Sequence, residues 1–477
     1  MHNSCETGGL KQKDGSGIRG RLLKGIGAQG FSQMVQVFIR LAEVPLLLSF
    51  WGTQLYGEWL MLSAIPIYLS IGDGGFAGAA CRDMTMQSGE GNRKRTLAVF
   101  QSTWVLLIVI SIVICLLAIG FVQFVPFENW LGFSNMNDVE IESVFLLLVA
   151  HVLVGFQGGL LNGGFWVAGR YPIGMYLIAI TQLAEFVGLV VAVALGGGPV
   201  HAACGYLVGR LLGTGLMWFG QRRVSQWLMY GFTHASLREI KRLSIPAFAS
   251  LAFPLGNALN IQGMRLVVGI TLGPSAVAVF VPLRTLSRLA MQPANIISRL
   301  IEPELAMAYG AGDNSLFQDV FTRSCQLALW GCLAACFIIG PGANWIFPIW
   351  TGGSITMHWP VYLVLLSAVL INSIWQTAMM VPYAINRHDR IAVSYALVYG
   401  AAAAGLGFIG APIMGLVWAA FAILLVEGAM VVVVIRVTLI IDRMPMAQWV
   451  KIIMRPPFDL FSRSGVDFLK RITTMSK

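Results

Sequence analysis

Along most of the chain, apolar stretches long enough to cross a bilayer alternate with short polar loops, and this repetition constrains the fold more than any single motif. Windows of spanning length fall at 25–50, 54–76, 97–124, 143–167, 172–196, 201–220, 246–271, 275–297, 324–348, 359–383, 392–410 and 412–436. A transmembrane helix needs about 20 mostly apolar residues, so the pattern predicts an all-α polytopic membrane protein of twelve spans. Composition agrees, because 57% of the 477 residues are hydrophobic and only 11% are charged, against about 25% charged in a soluble domain. Too few charges remain to coat a globule, which argues against a soluble enzyme. The residues before the first window are polar and include Lys11, Lys13, Arg19, Arg21 and Lys24. They lack the apolar centre of a cleavable signal, so the first window is expected to stay as a span.

The net charge of +10 does not point to nucleic acid, because membrane proteins gather Lys and Arg on their cytoplasmic loops. Sorting the charges by loop gives a topology. With the N-terminus inside, the inside loops hold Arg82, Arg93, Lys94 and Arg95; Arg170; Arg222, Arg223, Arg238, Lys241 and Arg242; Arg299 and Arg323; Arg387 and Arg390; and a basic tail after Arg436. The outside loops hold no Lys or Arg, and the longest, 125–142, carries Glu128, Asp138, Glu140 and Glu142. Both termini are therefore expected in the cytoplasm. Of the seven cysteines, Cys115, Cys204, Cys332 and Cys336 lie in apolar stretches without metal-ligand spacing and read as small core residues.

The second half repeats the first at an ungapped offset of 221. Gly52 falls on Gly273, Trp59 on Phe280, Asp83 on Glu304, Gly89 on Gly310, Gly91 on Gly312, Val99 on Val320 and Phe100 on Phe321. An even number of spans separates the copies, so both halves run the same way and their symmetry axis should follow the membrane normal. The expected organisation is a cytoplasmic tail (1–24), a six-helix lobe (25–220), a basic linker (221–245), a second six-helix lobe (246–436) and a basic tail (437–477). Within that tail, residues 446–454 fit an interfacial amphipathic helix, and a plain cytoplasmic tail fits about as well.

A charge inside a span costs about 2.5–3.5 kcal/mol on insertion scales, so intramembrane ionisable residues are candidates for function. Arg40 lies in span one, Arg265 in span seven, and Arg284 and Arg288 in span eight. The last two are four residues apart and share a helix face, offering two guanidinium forks suited to phosphate oxygens. Their counterparts at the repeat offset are Ser63 and Ile67, so the two halves differ where an anionic cargo would be held. The structural alternative pairs each arginine with an acid: Arg40 with Glu43, the others with Glu185 or Glu427. Those three acids are also candidates for binding a coupling H+ or Na+. His151 reads as a cavity-lining group or a satisfied core histidine. Asp73, Gly74 and Gly75 mark a hinge or helix cap, favoured over an ion ligand. No phosphate loop, His-Glu-x-x-His pair or Gly-x-Ser-x-Gly elbow is present, which argues against ATP hydrolysis, metalloprotease and serine-hydrolase chemistry.

The segments 52–59 (GTQLYGEW), 71–83 (IGDGGFAGAACRD) and 303–313 (PELAMAYGAGD), the last after a span opening with Leu272-Gly273-Pro274, resemble the polysaccharide (oligosaccharide) flippase family. This is the Wzx-like branch of the multidrug/oligosaccharidyl-lipid/polysaccharide (MOP) exporter superfamily, and the resemblance covers nearly the whole chain. It implies two six-helix lobes around a central cavity that opens alternately to cytoplasm and periplasm. The cargo it implies is an undecaprenyl-pyrophosphate-linked oligosaccharide, moved by an ion gradient or membrane potential rather than ATP. By analogy with lipid-linked precursor flippases, Arg40, Arg265, Arg284 and Arg288 would bind the pyrophosphate. The implied setting is the bacterial inner membrane and surface polysaccharide biosynthesis (lipopolysaccharide, capsule or exopolysaccharide), with membrane lipids, a polysaccharide polymerase and a chain-length regulator as partners and no cofactor beyond a coupling ion. The chain stops at twelve spans where some relatives have fourteen, which leaves the cargo open. The competing expectations are a cation-coupled multidrug exporter, a membrane glycosyltransferase or polymerase of the same pathway, and a scaffold without transport.

Overall fold

The computed structural model describes residues 15–124, 132–310, 312–385, 389–442 and 444–457. Residues 1–14, Glu128, Arg387, Arg443 and the tail beyond residue 457 lie outside the described residues. The first half is built from α1 (Gly15–Leu69), α2 (Phe76–Gly89), α3 (Arg93–Phe124), α4 (Asp138–Val167), α5 (Tyr171–Ala194) and α6 (Pro199–Val224). The second begins with α7 (Leu237–Ala258), a π-helical turn (Leu259–Gly263), α8 (Met264–Leu272), α9 (Pro274–Leu289) and α10 (Gln292–Gly310). It continues with α11 (Asn314–Trp350), α12 (Trp359–Ala378), α13 (Met380–Ala384), α14 (Asp389–Ser394), a second π-helical turn (Tyr395–Ala402), α15 (Ala403–Asp442) and a short α16 (Met446–Ile453). There is no strand among the described residues.

Seven helices among the described residues are long and apolar enough to cross a membrane. Two of them cover two windows each, because α1 breaks at Gly52 and α15 at Gly415, both at positive φ. α6, the run from α7 through α8, and α9 with the start of α10 follow the remaining windows. Apolar side chains face outward as a lipid-exposed surface requires: Ile112, Leu116 and Leu117 on α3 are more than half exposed. Inside the first lobe, α5 and α6 approach until a Cβ on Gly188 would lie 2.1 Å from the Gly205 carbonyl oxygen, the small-residue contact that lets membrane helices pack backbone to backbone.

The duplication is visible in the backbone. Gly52 has φ 68° and ψ −178°, and its counterpart Gly273 has φ 88° and ψ 165°, a region open essentially to glycine alone. Gly91 (φ 75°) and Gly312 (φ 71°) likewise match. The next residue caps the following helix in each copy, with Asn92 accepting from the Arg95 amide and Asp313 from the Leu316 amide. The halves meet where α1, past Gly52, packs against the start of α9. There the Ser275 hydroxyl donates to the Gln54 side-chain oxygen, and Gly57 lies against Pro274 so closely that a Cβ would fall 1.9 Å from its carbonyl oxygen.

At the opposite end, α2 of the first half touches α7 of the second. Arg242 grips Asp83 bidentately, at 2.7 and 2.6 Å, and also bonds Glu239. The Asp83 carboxylate holds the Arg242 guanidinium above the ordinary arginine range. α16 docks on α11 through Trp449, which stacks on Phe321, and through the Trp330 indole donating to the Ile453 carbonyl at 3.2 Å.

Candidate functional site

α9 begins at Gly273-Pro274, with proline preset for a first helical turn, and carries Arg284 and Arg288 on one face one turn apart. α1 brings Arg40 and Glu43 from the other half, and α8 brings Arg265 directly after the first π-helical turn. That turn departs from the regular hydrogen-bond ladder, and the Asn260 carbonyl accepts from Arg284 at 3.1 Å while its side-chain oxygen accepts a second, short bond from the same guanidinium. The Asn260 amide in turn donates to the Tyr399 carbonyl at 2.8 Å, so the second π-helical turn buttresses the first.

These residues surround one cavity of about 490 Å³ between the lobes, lined by Arg40, Glu43, His151, Arg265, Arg284 and Arg288. Its volume lies in the range of small-molecule sites, about 300–1,000 Å³, large enough for a head group and too small for a polyisoprenyl chain. Four guanidinium groups thus face one carboxylate. Among the described residues, none of the four makes an ion pair within 4.0 Å. Arg40 and Glu43 therefore make no ion pair at that distance, although Arg40 lies within electrostatic reach of Glu43 as it does of Arg288 and Arg265.

The other predicted residues lie outside this cavity. Glu185 is held inside the first lobe by Arg210 at 2.9 Å, with His151 at 3.5 Å, so it does not partner any cavity arginine. Glu427 accepts from Asn372 at 2.9 Å and from the Trp375 indole at 2.7 Å, and lines a small recess shared with Arg284 and Arg288. Asp73 accepts from the Gly75 amide at 2.9 Å, with Gly74 and Gly75 at positive φ; the trio forms the turn between α1 and α2, away from the cavity.

Sequence reasoning missed Arg210, although a charge in the middle of span six was a signal of the kind used for the others. It also missed Glu58, fully buried and accepting from the amides of Ser134 and Asn135 at 3.0 and 3.1 Å, and Asn260, for which no sequence signal existed.

No family model matches the sequence, and no curated protein is significantly similar to it. Solved structures do match. The lipid II flippase MurJ in an inward closed conformation has a TM-score of 0.67 at 14% identity, covering 92% of each chain. An inward-facing multidrug resistance MATE family transporter of the MOP superfamily scores 0.65 at 14% identity, over 87% of this chain and 99% of that one. An outward-facing MATE family transporter scores 0.59 at 15% identity, over 90% and 96%. The chain has the fold of these proteins, two transporters of the MOP superfamily and a lipid II flippase.

Proposed function

We propose that the protein is a flippase that moves a polyisoprenyl-pyrophosphate-linked oligosaccharide across the bacterial inner membrane by alternating access, for surface polysaccharide synthesis. The observation that carries this reading is the cavity between the lobes, where four arginines face one carboxylate without an ion pair. Like charges in a site of low dielectric repel strongly, and a diphosphate bound by planar forks relieves that repulsion. Arg284 and Arg288 present the forks from one helix face, Arg265 adds charge from α8 of the same half and Arg40 from the facing half, and Asn260 holds Arg284 in place. The MurJ likeness supports a lipid-linked cargo, and outside loops that are short and lack Arg support a transporter over a glycosyltransferase or polymerase. The basic end of the bundle is assigned to the cytoplasm. Glu43 and Glu427 are the acids assigned to a coupling H+ or Na+; Glu185 is already neutralised by Arg210.

The test is polysaccharide output from cells carrying Arg284→Ala with Arg288→Ala, at normal expression and insertion. Loss of output with accumulation of the lipid-linked precursor supports the proposal; wild-type output overturns it. The second reading, a cation-coupled multidrug exporter, rests on the MATE likeness, but an excess of cavity arginines repels organic cations. Efflux of such cations that survives the double substitution would favour it.

A further inference from the structure

A second cavity, of about 770 Å³, opens at the end of the first lobe where α3 and α5 begin and α4 and α6 end. It shares no lining residue with the cavity between the lobes. Three arginines from three different helix ends converge on it: Arg93 at the start of α3, Arg170 just before α5 and Arg223 in the last turn of α6. No carboxylate lines it, and none of the three arginines makes an ion pair within 4.0 Å among the described residues.

Two of the arginines are held by aromatic rings. Arg93 lies over Trp227 at 5.6 Å and Arg223 over Phe219 at 4.3 Å. A guanidinium stacked in this way uses its face, and its N–H donors stay free in the plane. The hydroxyls in the lining are already committed, Ser88 to the Val167 carbonyl and Ser225 to the Gly164 carbonyl, so the charge offered to a ligand is that of the arginines.

The depth of the cleft identifies its occupant. Arg93, Val167 and Tyr171 are terminal residues of three candidate spans, which puts the arginines at the boundary between hydrocarbon and water. Below them runs an exposed apolar surface, with Ile173, Tyr176 and Ile180 along α5 and Leu212, Leu216 and Phe219 along α6. Polar cations above apolar stripes match a phospholipid: an anionic head group for the arginines and acyl chains for the stripes. We infer that this cleft is a binding site for an anionic phospholipid of the surrounding membrane, distinct from the transported cargo.

The test is native mass spectrometry of the purified, delipidated full-length protein titrated with cardiolipin, phosphatidylglycerol or phosphatidylcholine. The wild type should bind its first anionic lipid far more tightly than phosphatidylcholine. Arg93→Gln, Arg170→Gln and Arg223→Gln together should weaken that binding about a hundredfold, from roughly fivefold per cation near an anionic surface. A charge-matched control with Arg238→Gln, Lys241→Gln and Lys451→Gln, all outside the cleft, should bind as wild type. If the glutamine variant fails to fold, Arg93→Lys, Arg170→Lys and Arg223→Lys together carry the test: charge is kept, the fork is lost, and affinity should fall about tenfold. Wild-type affinity in the cleft variant overturns the inference, as does an equal loss in the control. Displacement of the first lipid by inorganic phosphate alone would reassign the cleft to a soluble anion and overturn it equally.

Discussion

Gln54 and Ser275 stand 221 residues apart, are each other's counterparts in the duplication, and are hydrogen bonded to one another. A residue can touch its own symmetry mate only on the symmetry axis, so this bond marks where the axis between the lobes passes. The lobes are in contact there, as they are at the opposite end through Asp83 and Arg242. Alternating access requires that this contact break in the opposite state. A Gln54→Cys, Ser275→Cys pair in a background without other cysteines should therefore arrest transport when oxidised and recover it on reduction. Full transport by the quantitatively cross-linked protein would show that the lobes need not part here.

Gly57 offers a second way to probe the same seam. Any side chain at this position enters the space of the Pro274 carbonyl, 1.9 Å from the expected Cβ, and the backbone cannot yield cheaply. Gly57→Val should penalise the closed state by about 1–3 kcal/mol, the usual cost of overpacking. Thiol labelling of a cysteine placed in the cavity should then rise from the Gly52 side. Unchanged labelling would mean the seam is looser than drawn.

Within the first lobe, Arg210→Ala should be strongly destabilising, by about 3–5 kcal/mol, because it strands the buried Glu185 carboxylate. Combining it with Glu185→Gln should recover most of the loss. Thermal unfolding of the purified variants in detergent reads both effects. A double variant as unstable as Arg210→Ala would show that the arginine acts by packing alone.

At the far end, Asp83→Asn removes the charge that Arg242 grips. Hydrogen bonds to charged groups contribute about 1.5–3 kcal/mol, discounted here because the Arg242 side chain is 34% exposed; the net is about 1 kcal/mol. Cavity labelling from this end should rise about fivefold. Asp83 holds Arg242 above its ordinary range, so the arginine's share of the contact is complete below that range and is lost only as pH rises past it. Labelling of the wild type, taken relative to a fully exposed control cysteine at each pH because the thiolate is the reacting species, should accordingly stay flat from about pH 6 to about pH 9.

What was legible in the sequence was local or repeated. The apolar windows set the spans, because bilayer thickness dictates their length. The recurrence of Gly52 at Gly273 and of Gly91 at Gly312 exposed the duplication, because the first pair has angles open essentially to glycine alone and the second a positive φ that favours it. Arg284 and Arg288 could be placed on one face, because helical spacing is fixed. Charge in an apolar stretch pointed to Arg40, Arg265 and Glu43, and they line one cavity.

Pairings between spans were not legible. Which acid meets Arg210 depends on how closely Gly205 lets α6 approach α5, and Glu58 finds its amide partners in a loop 76 residues away. The grip of Asn260 on Arg284 needs a π-helical turn that no periodicity announces. The span count, the repeat and the surplus of cationic charge thus follow from the order of residues, since each rests on distances along the chain. Which arginines stay unpaired in the cavity, which acids are neutralised and where three helix ends meet at a cleft were decided by helix packing, because those contacts join residues that the chain order leaves far apart.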